Sequence, residues 1–301
     1  MTGSWVGILA ARVIDRVGKG IRTAPRDVMV SESSLKGSTG QAFGIHKALD
    51  MAGSALGILI SFILLKRMKS GFDFKRIFLI SIIPAILGLF MFFFIKEKQE
   101  VHAIKEREPF WKNIEKLDGQ LKLYLLVAFL FTLGNSSNAF LLLRAKSVGF
   151  DDTSVILLYF IYNLTASLLA IPAGRRSDKV GRKRLLVAGY IVFSIVYLGF
   201  AFADKKGIMI GLFILYGIYT AMITGVERAF ISEISPPDVK GTMLGMHSTL
   251  VGIALLPAST IAGFLWNTFG AAVPFIFGSV MSLTAALILF FFMKDGIVKT
   301  A

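Results

Sequence analysis

The chain contains no cysteine, which excludes disulfides, thiolate nucleophiles and cysteine-held metals. Histidine is almost as scarce. His46, His102 and His247 are the only three and sit in unrelated contexts, so neither a metal site nor a cofactor is expected. H-E-x-x-H, G-x-S-x-G and paired acids within one apolar run are all missing, and the chain is accordingly not expected to be an enzyme. The start carries no cleavable signal pattern, because residues 1–11 have no basic flank and are followed at once by Arg12, Asp15 and Arg16. Charge is thin overall, at 17% of residues.

What is abundant is apolar sequence, 55% of the 301 residues, with a mean hydropathy of +0.70. It comes in blocks long enough to cross a bilayer, which takes roughly 20 residues. Eight such blocks occupy residues 45–65, 77–95, 123–143, 154–173, 185–203, 207–225, 243–266 and 272–293. A ninth, 5–17, is shorter and charged and reads as the inner half of a helix. The net charge of +14 would suggest nucleic acid in a soluble protein. Here the basic residues lie between apolar blocks, a distribution that encodes membrane topology, so the expected partner is a lipid bilayer and no nucleic acid. Of the 33 Lys and Arg, 24 fall on one side of the alternating loops and 9 on the other; the richer side, with the C-terminus, is expected to be cytoplasmic. The mixed-charge stretch 96–122 is the one long polar connection and reads as a linker.

One unit occurs twice. Ser31-Glu32-Ser33-Ser34, Gly40, Gly44 and His46 recur as Ser232-Glu233-Ile234-Ser235, Gly241, Gly245 and His247, a constant offset of 201 without a gap. Parallel repeats in an apolar chain are a building plan of secondary transporters, with a substrate site where the halves meet. Subtracting the offset from residue 123 places the expected first span about eighty residues before Met1. The chain is therefore expected to lack three helices and part of a fourth.

Between two apolar blocks runs Gly174-Arg175-Arg176-Ser177-Asp178-Lys179-Val180-Gly181-Arg182-Lys183-Arg184. Gly174 and Gly181 permit a tight turn, the basic cluster suits anionic headgroups, and Asp178 is placed to accept hydrogen bonds from a helix amino end. This segment resembles the signature loop of the major facilitator superfamily, G-x-x-x-D-R-x-G-R-K/R, with Lys179 where Arg is common. The run from Glu227-Arg228 through Pro236-Pro237 to Gly241-Thr242 resembles the loop between the tenth and eleventh helices of bacterial members. Its partner from Gly18-Lys19 through Pro25-Arg26-Asp27 resembles the corresponding loop of a bacterial, efflux-like branch. The resemblance implies an all-α membrane protein of about nine transmembrane helices: a partial N-terminal bundle (1–95), a cytoplasmic linker (96–122), a six-helix bundle (123–293) and a cytoplasmic tail (294–301). It also implies a multi-pass protein of the inner membrane, monomeric, and closure of one face by Asp178 against the helix that follows Gly37.

Charges inside apolar blocks are expensive and mark gating or coupling. Arg12, Asp15 and Arg16, with Lys19, share one helical face, and Lys47 and Asp50 lie inside the next block. Gly174, Asp178, Gly181, Arg182, Glu227 and Arg228 complete the gating and coupling set. Val251 stands where the repeat would place a second Asp50, which confines a proton role to the first half. Polar stripes suggest a substrate path: Asn135 and Asn138, where the helix loosens after Gly134; Tyr159, Tyr162 and Asn163; and Tyr216, Tyr219 and Thr220. Tyr190, Ser194 and Tyr197 form a similar stripe on a helix that the resemblance puts at the periphery. Gly53, Gly57, Gly252 and Ala262 are expected at close helix contacts. The functional expectation is proton-coupled export of a small molecule by alternating access, with a non-transporting remnant of such a transporter as the alternative.

Overall fold

The computed structural model describes residues 5–35, 37–67, 74–94, 118–236 and 239–294, and among these the chain is helical throughout apart from short connections. The helices are α1 (Trp5–Glu32), α2 (Thr39–Arg67), α3 (Phe74–Phe90, continued by one 3-10 turn, Met91–Phe94), α4 (Gly119–Gly134), α5 (Ala139–Ser147), α6 (Asp152–Val180), α7 (Arg182–Phe202), α8 (Lys206–Ile234), α9 (Lys240–Phe269) and α10 (Val273–Phe292). The linker read at 96–122 lies outside the described residues up to 117, and α4 begins inside it. The tail beyond Lys294 is likewise outside them.

Among the described residues seven stretches are long and apolar enough to cross a membrane, with α4 and α5 counted as one. Their outer surfaces carry Leu256, Ile195, Phe290, Phe291 and Phe292, all more than half exposed. In water such a surface would aggregate; in a bilayer it is the lipid face, and each helix satisfies its own backbone.

Two helices run further than the apolar blocks suggest. α1 continues past residue 17, through Pro25, to Glu32, and α8 continues through Glu227-Arg228 to Ile234. Both charged segments that read as loops are therefore the last turns of helices. Asp27 and Arg228 are tolerated there because they lie near the helix ends and pair with each other across the two helices, as described below. The break after Gly134 is present: α4 stops with Asn135 at its C-cap, and α5 starts at Ala139.

Helices α4 and α6 to α10 share one apolar core. Its innermost column is aromatic, formed by Tyr190, Phe193, Tyr197 and Phe200 of α7, each at most 1% exposed. The stripe set aside as peripheral is thus central to this core. Ser194 of α7 hydrogen-bonds Ser279 of α10 at 2.7 Å. The turn from α6 into α7 is a single residue, Gly181, whose φ of +94° is open to glycine at no steric cost.

Of the small residues expected at close helix contacts, Ala262 is buried but the three glycines are not at close contacts. A Cβ on Gly53, Gly57 or Gly252 would meet nothing within 4 Å, so these positions are not packed. Tight backbone contacts join α4 to α10 at Gly134 and Gly278, α8 to α6 at Gly217, and α2 to α6. A Cβ on Gly44 would lie 2.7 Å from the Ala170 carbonyl oxygen, and one on Gly40 would lie 2.7 Å from that of Gly174. Further along, Ser167 Oγ donates to the Ala48 carbonyl at 2.8 Å, so the two helices run antiparallel in contact over about two turns.

Candidate functional site: the repeat seam and the tyrosine cluster

Where the two copies of the repeat meet, residues touch their own counterparts. Ser31 Oγ lies against Ser232 Oγ, and Asp27 pairs with Arg228, each pair 201 positions apart. Both contacts advance in the same direction, from 27 to 31 and from 228 to 232, so α1 and α8 run parallel at the seam. A point that touches its own copy lies beside the rotation axis relating the copies. The axis therefore passes between α1 and α8, and an inverted relation between the copies is excluded.

Asp27 is 1% exposed and accepts from Arg26 Nε at 3.0 Å and Nη2 at 2.9 Å as well as from Arg228. A carboxylate removed from water needs such partners, because an uncompensated buried charge is strongly destabilising. Beside this pair α2 meets α6. The Asp178 carboxylate accepts from the backbone N–H of Gly40 and of Gln41, both at 2.8 Å. It caps an amino end whose own first turn holds no acid, and its negative charge complements the helix dipole. Arg182 holds Asp178 in place through Nη2 at 3.0 Å and pairs with Glu233 through Nη1. Gly174 leaves the space for Gly40.

Of the gating and coupling residues, the structure brings Gly174, Asp178, Arg182 and Arg228 to this seam, with Gly181 in the adjoining turn. Glu227, the residue before Arg228 on α8, accepts from Tyr190 Oη at 3.0 Å. Lys47 and Asp50 pair within α2 at 2.8 Å rather than with another helix. Arg12, Asp15 and Arg16 lie on α1, but their side chains are outside the described ones.

The proposed substrate residues form a separate cluster. Asn135 Nδ2 donates to Tyr219 Oη at 3.0 Å, and Tyr216 Oη donates to Asn138 Oδ1 at 2.9 Å, so both asparagines of the α4–α5 break are held by α8. Thr220 Oγ1 donates to the Tyr216 carbonyl and Asn163 Nδ2 to the Tyr159 carbonyl. Ring centroids stand 5.4 Å apart for Tyr159 and Tyr162, 5.0 Å for Tyr162 and Tyr216, and 5.1 Å for Tyr216 and Tyr219. Tyr162, Asn163, Tyr216, Tyr219 and Thr220 are buried, whereas Asn135, Asn138 and Tyr159 are half-buried. Tyr159 also lines an apolar cavity of about 810 Å³ between α2, α3, α5 and α6, whose wall includes Ser54, Ile83, Leu142 and Ile156.

Sequence reasoning missed Asp27, Tyr190 and the hydroxyl pair Ser31 and Ser232. A signal was present: at the repeat offset, Arg26-Asp27 faces Glu227-Arg228, the same two positions with charges reversed.

A parallel repeat of apolar helices closing on itself through buried ion pairs defines a polytopic membrane protein of the two-fold transporter type. The family profile described as Major Facilitator Superfamily matches residues 1–143 and 124–299, and the chain belongs to that family. An uncharacterized MFS-type transporter of Methanocaldococcus jannaschii, MJ1317, is 39% identical over 297 residues, covering 97% of this chain and 73% of that protein. The multi-drug resistance efflux pump PmrA homolog of Lactococcus lactis is 33% identical over 129 residues, 42% of this chain and 32% of the pump. Among solved structures, the human organic anion transporter MFSD10 superposes with a TM-score of 0.75 at 18% identity, over 96% of this chain and 72% of that one. The proton:xylose symporter XylE gives 0.70 at 18% identity, over 89% and 67%. At such identity these two show the fold.

Proposed function

We propose that the chain mediates proton-coupled export of small, drug-like molecules across the inner membrane by alternating access, as a monomer with its basic loops and C-terminus on the cytoplasmic side. The rocking bodies are the helices of residues 1–95 and those of 123–293, joined by the stretch between them. The observation that carries this reading is the seam. Equivalent positions of the two copies meet at Ser31 and Ser232 and at Asp27 and Arg228 on one face, the contact that must break for the protein to open there. On the same helices the tyrosine cluster, with Asn135, Asn138, Tyr159, Tyr162, Asn163, Tyr216, Tyr219 and Thr220, offers aromatic faces and oriented amides to a ligand, next to the apolar cavity that ends at Tyr159. The multidrug pump among its relatives supports drug-like substrates, and the proton symporter among its structural neighbours supports proton coupling.

The test is ethidium movement in proteoliposomes. With a proton gradient imposed, ethidium is expected to build up against its own gradient, and a proton ionophore is expected to abolish the build-up. Build-up that ignores the ionophore would remove the coupling; its absence under every gradient would remove the transport reading.

A further inference from the structure

We infer that Glu227 is a proton-binding site that releases its proton when the seam opens, and that Arg228 is the switch. The inference rests on the transport reading above and identifies the group that couples it to protons.

In the closed seam two acids compete for two cations, and one acid takes both. Asp27 holds Arg26 and Arg228, while among the described residues Glu227 enters no ion pair. Its hydrogen bond comes from the neutral hydroxyl of Tyr190. Arg228 also lies within electrostatic reach of Glu227, but its guanidinium is held by Asp27; the other neighbours of Glu227 are weakly polar. Tyr124 of α4 and Tyr219 of α8 lie within electrostatic reach of it. Nearby, His247 of α9 stacks on Tyr124 with centroids 6.2 Å apart, and both the Tyr124 hydroxyl and His247 Nε2 are buried without a hydrogen-bond partner among the described residues. His46 of α2 lies within electrostatic reach of Arg26, Asp27, Arg228 and Asp50. A buried carboxylate inside a membrane span whose neighbouring cation is already paired to another acid is costly, and the neutral acid is favoured there.

The first copy of the repeat shows what happens when a cation is free. At the equivalent position Arg26 folds back onto its sequence neighbour Asp27, with contacts of 3.0 and 2.9 Å. Adjacent residues on a helix do not ordinarily face each other, so this pairing demonstrates a geometry that the fold supports at this place. When α1 and α8 part, Asp27 keeps Arg26, because both ride on α1. Arg228 loses Asp27 and folds onto Glu227 as Arg26 folds onto Asp27. The O–H bond of the Glu227 carboxylic acid then breaks, the electron pair stays as carboxylate against the guanidinium, and the proton leaves to water admitted by the opening. Closure returns Arg228 to Asp27 and the proton to Glu227, one proton per cycle. The proton site thereby falls in the second half of the molecule, where Val251 had seemed to rule it out.

The chain has no cysteine, so labels at Ser33→Cys and Lys179→Cys would be its only thiols. Pulsed electron paramagnetic resonance on this pair in lipid vesicles reads the distance across the seam as pH is raised. The expected result is lengthening with pH in the parent chain, and a short, pH-independent distance in Glu227→Gln, whose side chain mimics the protonated acid. Glu227→Gln that still lengthens with pH, or a parent chain that never does, overturns the assignment. Infrared difference spectra of the parent chain with ¹³C-labelled glutamate give a check that needs no substitution. A carboxylic C=O stretch of glutamate must vanish over the same pH range, and its absence overturns the proposal. Neither readout needs a substrate, so failure of both falls on Glu227 alone, whereas a missing ethidium gradient with both signals intact falls on the transport reading.

Discussion

The two copies of the repeat agree at Ser31 and Ser232 and are reversed in charge at Arg26-Asp27 and Glu227-Arg228. Position on the axis accounts for both facts. A residue beside the axis faces its own copy, so a hydroxyl can be kept in both copies because it both donates and accepts. A charge kept in both would face itself, and so one copy carries the acid and the other the base. The same comparison separates the packing glycines. Gly44 presses on the Ala170 backbone, while its counterpart Gly245 has only Ala24 Cβ at 3.6 Å, an ordinary contact. Equivalent sequence thus serves a tight seam in one copy and a loose one in the other.

Four substitutions and one change of pH would break or sharpen that comparison. The largest effect is expected of Asp27→Asn, which leaves Arg26 and Arg228 facing each other. Breaking a buried pair costs about 3–5 kcal/mol, and since both arginines are about one-third exposed the loss here should be about 2–3 kcal/mol. Thermal unfolding in detergent reads it, and an unshifted midpoint would deny the pair its role. Next come the glycines. Gly44→Ala should destabilise by about 1–3 kcal/mol through the backbone it meets, while Gly245→Ala should stabilise by about 0.5–1 kcal/mol through helix propensity. Equal effects of the two would refute the asymmetry.

Asp178→Asn should follow, losing about 0.3–1 kcal/mol of the charge's interaction with the amino end of α2. The reading is weaker closure with expression intact, seen as faster amide exchange at Gly40 and Gln41. The smallest effect belongs to Asp151, which caps α6 through the N–H groups of Thr153 and Ser154 on the exposed rim. The Ser154 hydroxyl and these amides hold its carboxyl below the usual range. A depressed folded value means that the cap is fully in place above the unfolded value and is lost only as pH falls through the folded one. Amide exchange at Thr153 and Ser154 should therefore stay slow through the ordinary carboxylate range and quicken below it; quickening inside that range would contradict the assignment.

How much of this could be read in advance depends on the kind of signal. The repeat, the break after Gly134 and the reach of Asp178 to the start of α2 were legible, because glycine spacing, paired amides and a lone acid among bases each have few structural meanings. The ends of α1 and α8 were not. Charge after an apolar block reads as a loop unless its partner is known, and the partners lay 201 residues away. The stripe of Tyr190, Ser194 and Tyr197 was visible on one helical face and was set aside only because the resemblance puts that helix at the periphery, whereas its tyrosines are buried in the core of this bundle. In the tyrosine cluster the residue types were legible, but not that Tyr216 and Tyr219 hold the two asparagines of the α4–α5 break.

The most direct test of the seam uses residues that touch their own copies. In a chain without other thiols, Ser31→Cys with Ser232→Cys should cross-link within one molecule on mild oxidation, read as a mobility shift that a reductant reverses. Adding Asp27→Arg should suppress the cross-link by setting like charges across the axis, and adding Arg228→Asp as well should restore it. Cross-linking that fails in the parent pair, or that ignores both charge changes, would contradict closure of the two copies around this axis.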